Sequence, residues 1–398
     1  MDNVDMSSEF SFIHCADLHL GGRFSGIMDR DRTLGKRLTQ CTLDSFSRIV
    51  DAALERGVDF MVISGDVYDS ENPLPSTRAW FVRELERFGG PCFICRGNHD
   101  SYTPWDSAIP YPSNVHEFGT EPESIQLECG AEVVGVSFSK PHETSNLASL
   151  LRGSSDWFTV ACVHCDVGSV SEGDVYAPCE VHDLRGRGVQ YWALGHIHKR
   201  QVLSEEPCIV YPGNIQGRNP KEVGEKGAYL VSVHNQTIMS MEFLPTQGAV
   251  WHDLVVDISG KGLQDLVSEI SGHVKGGDVV RITTIGCGIL DGMLRSQTSD
   301  VMTTLSQSIG CTVDSIQVRS SPDIDLDERA GIDDVVGRSI AVARSTAGSG
   351  REAILNAILS HPVASVHGEF YRSMTDEELE GMVDDALMTL LQYMGVGR

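Results

Sequence analysis

Over its first two-thirds the chain alternates short apolar runs with amphipathic stretches, the pattern of strands joined by helices in an α/β layer fold. Residues 10–15, 60–64, 91–95, 133–138, 158–163 and 191–194 read as strands. Between the first two, Cys41, Phe46, Ile49, Val50, Ala53 and Leu54 recur at roughly helical spacing, and Gly57 follows them as a helix stop should. A second helix is expected over 76–88, ending at Gly89 and Gly90. The pattern changes after residue 244. There 251–258 and 279–285 read as strands, 263–270 and 293–309 as helices, and together they predict a small α+β domain to about residue 320. An acidic connection over 321–334 leads to a tail, 340–393, with helical periodicity: Ala353, Ile354, Ala357 and Ile358 share one face, Leu379, Met382, Leu387 and Leu391 another. Residues 345–350 predict a flexible break, and no internal repeat is visible.

The polar residues gain meaning from where they fall relative to those strands. Asp17 and His19 follow the first strand, Asp66 and Asp69 the second, Asn98, His99 and Asp100 the third, His164 the fifth, and His196 and His198 the sixth. Open α/β sheets bind ligands at the carboxyl ends of their strands, where loops converge. These groups are therefore expected to meet in space although they are far apart in sequence.

Composition narrows the picture. At 398 residues, two or three domains are expected. With 41% apolar and 22% charged residues the chain has material for a sizeable core. It has no uninterrupted apolar stretch of about 20 residues, so no membrane span is expected. Residues 1–10 are acidic and polar, unlike a secretory signal, which places the protein in the cytoplasm. The 11 cysteines are scattered through apolar runs and do not suggest a disulfide framework. The net charge of −25 cuts against a simple nucleic-acid binder, so any DNA contact must be local or borrowed from a partner.

A pair of divalent cations can activate a water, bind phosphate oxygens and stabilise a leaving oxygen. Such a site needs one carboxylate that bridges both ions and further oxygen and imidazole ligands on each side. Asp17-Leu18-His19, Gly65-Asp66-Val67-Tyr68-Asp69, Gly97-Asn98-His99-Asp100, His164 and Gly195-His196-Ile197-His198 supply that set, with glycines where a ligand loop must turn sharply. Mixed oxygen and imidazole donors suit manganese, iron or zinc. Cys92, Cys95, Cys162 and Cys165 read as core residues rather than zinc ligands, because residues three apart on a strand face opposite ways. Arg23, Arg30, Arg32, Lys36 and Arg37 form a basic cluster that either contacts a nucleic-acid backbone or is a solvated helix start.

These motifs resemble the calcineurin-like metallophosphoesterases and, within them, the SbcD and YhaO-type DNA repair exonucleases, over about residues 10–245. The stretch Tyr211-Pro212-Gly213-Asn214-Ile215-Gln216-Gly217-Arg218 followed by Gly224-Glu225-Lys226-Gly227 is similar to the YhaO-type branch in particular. The resemblance implies a four-layer αββα nuclease domain over 1–245, an α+β capping domain over 246–320, and a linker with a helical partner-binding tail over 321–398. It implies Asp17, His19, Asp66 and His198 on a first ion, and Asp66, Asn98, His164 and His196 on a second. Both ions are expected to be manganese. His99, next to Asp100, is expected to protonate the leaving oxygen or stabilise charge on the phosphate. Asp69 and Arg23 are expected to meet the substrate. Asp69 stands where archaeal and eukaryotic relatives carry a histidine, so substrate binding is expected to differ from theirs. The implied activity is DNA exonuclease action in repair, beside an SbcC-type, SMC-like ATPase docked on the tail, with a homodimer by analogy. Two alternatives stay open: a phosphoesterase for a small nucleotide or phosphoprotein, and a module that only docks an ATPase.

Overall fold

Side chains alternate across a strand, and in β1 (Glu9–Cys15) both faces are apolar: Phe10 and Phe12 enter one cluster, Ile13 and Cys15 another. Such a strand belongs inside a layered fold. The computed structural model describes residues 9–29, 31–70, 73–101, 108–168 and 175–394. Arg30 of the basic cluster and most of the acidic amino-terminal stretch lie outside the described residues.

The chain divides into two compact units, Met1–Trp251 and His252–Arg398. In the first, β1 is followed by α1 (Ser25–Met28), α2 (Arg32–Arg56), β2 (Phe60–Ser64), α3 (Pro75–Phe88), β3 (Cys92–Cys95), β4 (Val115–Glu117), β5 (Glu123–Gln126) and β6 (Ala131–Gly135). Then come β7 (Phe158–His164), α4 (Val181–Leu184), β8 (Tyr191–Gly195), β9 (Gln201–Glu205), β10 (Cys208–Tyr211), β11 (Gly227–His234) and β12 (Thr237–Pro245). One sheet has the order β12-β11-β1-β2-β3-β4, the other β5-β6-β7-β8-β10-β9. The strands β1 to β4 run parallel, as do β6, β7, β8 and β10. The functional loops thus leave each sheet at one end.

The two sheets face each other across an aromatic layer in which Phe10, Phe12, Phe60 and Phe93 meet Phe158 and Tyr191. On the outer face of the first sheet, Phe46, Ile49, Val50 and Ala53 of α2 and Phe81, Leu85 and Phe88 of α3 cover Ile13, Met61, Ile63 and Ile94. The caps explain these helices: Asp31 accepts from the amides of Thr33 and Leu34, and Gly57 and Gly89 end α2 and α3 with φ of 62° and 71°. The outer face of the second sheet is covered more thinly, by Leu147, Ala148, Leu151 and Leu184 from short helices and loops. The layers are therefore the expected αββα sandwich. The sequence reading omits β4, β5 and β9 to β12, of which β4, β5, β9 and β12 are edge strands with partly exposed faces.

Phe60 stacks on Phe12 at 5.0 Å and meets the ring of Phe93 at 6.1 Å, with no exposure. Phe60→Ala is expected to cost about 3–5 kcal/mol in urea unfolding, the usual range for a buried phenylalanine. A loss below about 1 kcal/mol, the centre of the range for ordinary substitutions, would mean that the aromatic layer does not hold the sandwich together.

The second unit packs β13 (Trp251–Asp257), β14 (Val279–Ile285) and β15 (Thr312–Val318) into one sheet, covered by α5 (Leu263–Ser271), α6 (Leu290–Ser296) and α7 (Thr298–Ile309). The single helix expected over 293–309 is thus two, broken where Gln297 takes φ −131° and ψ 34°. The acidic connection contains α8 (Leu326–Ala330), and α9 (Val335–Gly348), α10 (Arg351–Leu359), α11 (Pro362–Val366), α12 (Gly368–Ser373) and α13 (Asp376–Tyr393) complete the unit. The flexible break expected over 345–350 is mostly helix: α9 continues to Gly348, and the turn comes only at Gly350, with φ 81°. Ile340, Leu387 and Leu391 close a small core there. Among the described residues no helix is long and apolar enough to cross a membrane.

Candidate metal centre

The first two ligand loops fold against each other. The amides of Asp17, His19 and Leu20 donate to the carbonyls of Gly65, Asp66 and Val67 at 3.1, 2.9 and 2.9 Å. Asp17, His19, Asp66 and His196 take positive φ, 51°, 44°, 49° and 105°. That conformation is costly for residues other than glycine and persists only where surrounding structure enforces it. Two glycines admit the close approach. A Cβ on Gly195 would sit 1.7 Å from the Ser64 carbonyl, and one on Gly97 would sit 2.2 Å from Asp66 Oδ1.

Two overlapping groups share Asp17: Asp17, His19 and His198 bring ligand atoms within 4.8 Å of one another, and so do Asp17, Asp66 and His164, while His19, Asp69 and His99 form a third group. Asp66 Oδ2 lies 3.8 Å from His19 Nε2 and 3.6 Å from His164 Nε2, so it reaches both. Asn98 Oδ1 is 3.0 Å from His164 Nε2. Asp17 accepts from the His196 amide at 3.0 Å. The His196 ring stands edge-on to those of His164, at 5.2 Å, and Tyr176, at 5.4 Å, outside both groups.

The donor set fits divalent cations on hydrogen-bond grounds. His164 Nδ1 donates to the Ser64 carbonyl at 3.0 Å, which leaves Nε2 a lone pair that faces another acceptor, Asn98 Oδ1. His198 Nδ1 lies 3.1 Å from Glu222 Oε1, and its Nε2 faces His19 Nε2 at 3.0 Å. Opposed lone pairs are what a shared cation between them resolves. His19 Nδ1 is buried without a hydrogen-bond partner, although Asp69 Oδ1 is 3.2 Å away. Burial lowers the pKa of His19 and holds that of His196 at about 3, so both stay neutral and free to ligate.

His99 and Asp100 part company. His99 Nδ1 lies 3.0 Å from the Asp69 carbonyl, and its Nε2 lies 4.0 Å from Asp66 Oδ2 on a side chain 40% exposed. Asp100 turns inward instead. Its Oδ1 accepts from the Gly97 amide at 2.8 Å and its Oδ2 from the Val67 amide at 2.7 Å, which ties the second and third ligand loops together. Burial, followed by the nearby Asp66 charge, raises its pKa to about 6. Asp100, expected next to a catalytic His99, thus braces these two loops through both its oxygens. Asp69 braces as well, between His19 and the guanidinium of Arg218 at 2.5 Å. Arg23 is exposed on the loop between β1 and α1, and the structure does not bring it into either ligand group.

Sequence reasoning missed Glu222. Its carboxylate takes His198 Nδ1 at 3.1 Å, Asn214 Nδ2 at 2.6 Å, the Arg218 amide at 2.8 Å and Asn219 Nδ2 at 2.6 Å. Burial alone would raise its pKa; the bonds from His198, Arg218 and Asn214 outweigh that and hold it at about 2. It is one of 56 acidic residues and follows no strand directly, so only its place after the Asn214 to Arg218 motif could have flagged it. Partners that orient ligating histidines typically contribute 10–100-fold in metal affinity. Glu222→Ala is expected to weaken binding of one ion by about that factor in a metal titration followed by elemental analysis. Unchanged affinity would show that His198 does not depend on it.

Residues 10–200 match the family of calcineurin-like phosphoesterases. Those residues form a calcineurin-like metallophosphoesterase domain. The ligand groups described above lie within it. The chain is 36% identical over 264 residues to an uncharacterized metallophosphoesterase, YhaO, of Bacillus subtilis, covering 64% of each. It is 28% identical over 241 residues to the DNA double-strand break repair protein Mre11 of Saccharolobus solfataricus, covering 55% of this chain and 59% of that one. For the Sulfurisphaera tokodaii protein of the same name the identity is 26% over 245 residues, covering 56% and 60%. The chain thus spans less than two thirds of the length of these curated relatives. The calcineurin-like domain carries all the ligand loops, and the braces Arg218 and Glu222 lie just beyond its matched end.

Proposed function

We propose that the protein hydrolyses phosphodiester bonds in DNA, as a manganese-dependent exonuclease subunit used in repair. The observation that carries this is the placement of His99: a half-exposed imidazole fixed through Nδ1, whose Nε2 stands 4.0 Å from Asp66 Oδ2, an oxygen that reaches both His19 and His164. Two divalent ions there would supply an activated water and neutralise charge on the phosphate. Asp17, His19 and His198 would hold one, His164 and Asn98 the other, and Asp66 both. His196, whose amide binds Asp17, would complete the second set from its edge-on position. His99 Nε2 would deliver a proton to the departing oxygen. Asp69 and Asp100 keep the loops in place while this happens.

Similarity to two proteins named for double-strand break repair supports DNA as the substrate. The net charge of −25 favours the second reading, a small phosphodiester substrate, or else a partner that brings DNA to the site. For such a partner, an SMC-like ATPase of the SbcC type, the second unit offers an apolar groove of about 420 Å³ lined by Val335, Val342, Ala343, Val383, Leu387 and Leu390. A homodimer and a cytoplasmic location complete the proposal, with residues 246–320 as the capping domain. The test is degradation of end-labelled linear DNA with Mn²⁺, beside a small diester. Shortening from the ends supports the DNA reading. Cleavage of the small diester alone, with the ATPase present, would overturn it.

A further inference from the structure

We infer that Arg218 selects substrates that carry a second phosphate next to the one being cleaved. The inference deepens the phosphodiesterase reading and rests on it only for the location of the scissile group. Arg218 Nη2 lies 2.5 Å from Asp69 Oδ1, and the Arg218 side chain is 21% exposed. Its backbone is pinned too, because its amide donates to Glu222 Oε2 at 2.8 Å. A guanidinium has five N–H donors. Asp69 takes one; the others have no protein partner among the described residues and are not among the buried orphaned atoms, so they face solvent.

Position then decides which phosphate they can meet. His19 presents Nε2 to His198 and Nδ1 to Asp69. An ion held by His19 and His198 would lie on the Nε2 side, and Arg218 reaches His19 from the Nδ1 side, through Asp69. Its free donors therefore flank the ion position rather than enter it, and an anion they bind belongs to a neighbouring group of the substrate. A planar fork of donors matches phosphate oxygens two at a time, which a point charge cannot do.

Three other cations, Arg78, Arg200 and Lys226, are already engaged. Arg78 is buried, bonds the Ile109 carbonyl and lies 3.8 Å from the centre of the Tyr111 ring. Arg200 stacks on Phe243 at 3.6 Å, and Lys226 Nζ donates to the His198 carbonyl at 2.9 Å. Against a net charge of −25, a guanidinium held at the rim of the metal centre provides the local attraction that a strand of successive phosphates needs and a lone diester does not.

The experiment is calorimetric titration of the full-length protein, loaded with Mn²⁺, with thymidine 5′-phosphate and thymidine 3′,5′-bisphosphate. Wild type is expected to bind the bisphosphate at least about tenfold more tightly, the worth of one charge-assisted pair. Arg218→Gln is expected to bring the two within about threefold, the remainder that general charge leaves once that pair is gone. Arg218→Lys should retain part of the preference, since it keeps the charge and loses the fork. Equal binding of both ligands by wild type, or a full preference in Arg218→Gln with its metal content intact, overturns the assignment. If Arg218→Gln fails to fold, an undiminished preference in Arg218→Lys overturns it instead. The preference is independent of DNA cleavage: a wild type that leaves DNA intact but loses its preference on Arg218→Gln defeats the DNA reading and keeps this one.

Discussion

Asp66→Asn is expected to abolish phosphodiesterase activity, by at least about 1,000-fold or ~4 kcal/mol of barrier, and to leave no more than one tightly held ion per chain. Asp66 Oδ2 lies 3.8 Å from His19 Nε2, 3.6 Å from His164 Nε2 and 4.0 Å from His99 Nε2, so one oxygen serves three imidazoles. Its other oxygen accepts from the His99 amide at 3.0 Å and fixes the loop that carries His99. An amide keeps the shape but loses the negative charge and turns a donor toward one of these groups. Elemental analysis and turnover of a chromogenic diester, measured on the same preparation, decide the matter. Two ions bound with activity within about tenfold of wild type would mean that the bridge lies elsewhere.

His99→Ala is expected to separate chemistry from metal binding. General acid catalysis contributes about 10²–10⁴-fold, and turnover should fall by that amount with both ions retained and KM little changed. His99 is outside the Asp17 groups, and its side chain is 40% exposed, so its removal leaves no buried cavity. Loss of an ion in this variant would instead make His99 a ligand, which its place with His19 and Asp69 in a third group of ligand-capable atoms makes the sharpest competing outcome.

The strands that end on ligands were legible because each is a short apolar run cut off by a polar cluster: Phe60–Ser64 and the run ending at Cys95 are buried throughout, and Asp66 and Asn98 follow within three residues. The left-handed φ at Asp17, His19 and Asp66 was not legible, since nothing in those residue types announces it. Neighbours in sequence can also take different directions: His99 stays half exposed, while the backbone turns Asp100 onto the amides of Gly97 and Val67. Long-range partners such as Glu222 with His198, 24 residues apart, exist only once the loops are folded. In the second unit helix periodicity carried through Gln297, because a break that keeps the apolar spacing leaves no trace in the pattern.

The two loops that carry Asp17, His19 and Asp66 are held to each other by three backbone hydrogen bonds that involve no metal-binding atom. The ligands are therefore set in place by the polypeptide before any ion arrives. In small zinc-dependent domains the order is reversed, and the cation drives folding. Here an incoming ion finds a mould already braced by the backbone, so stripping it should abolish the proposed activity while leaving a folded scaffold, and ions of different size would compete on how well they suit that mould.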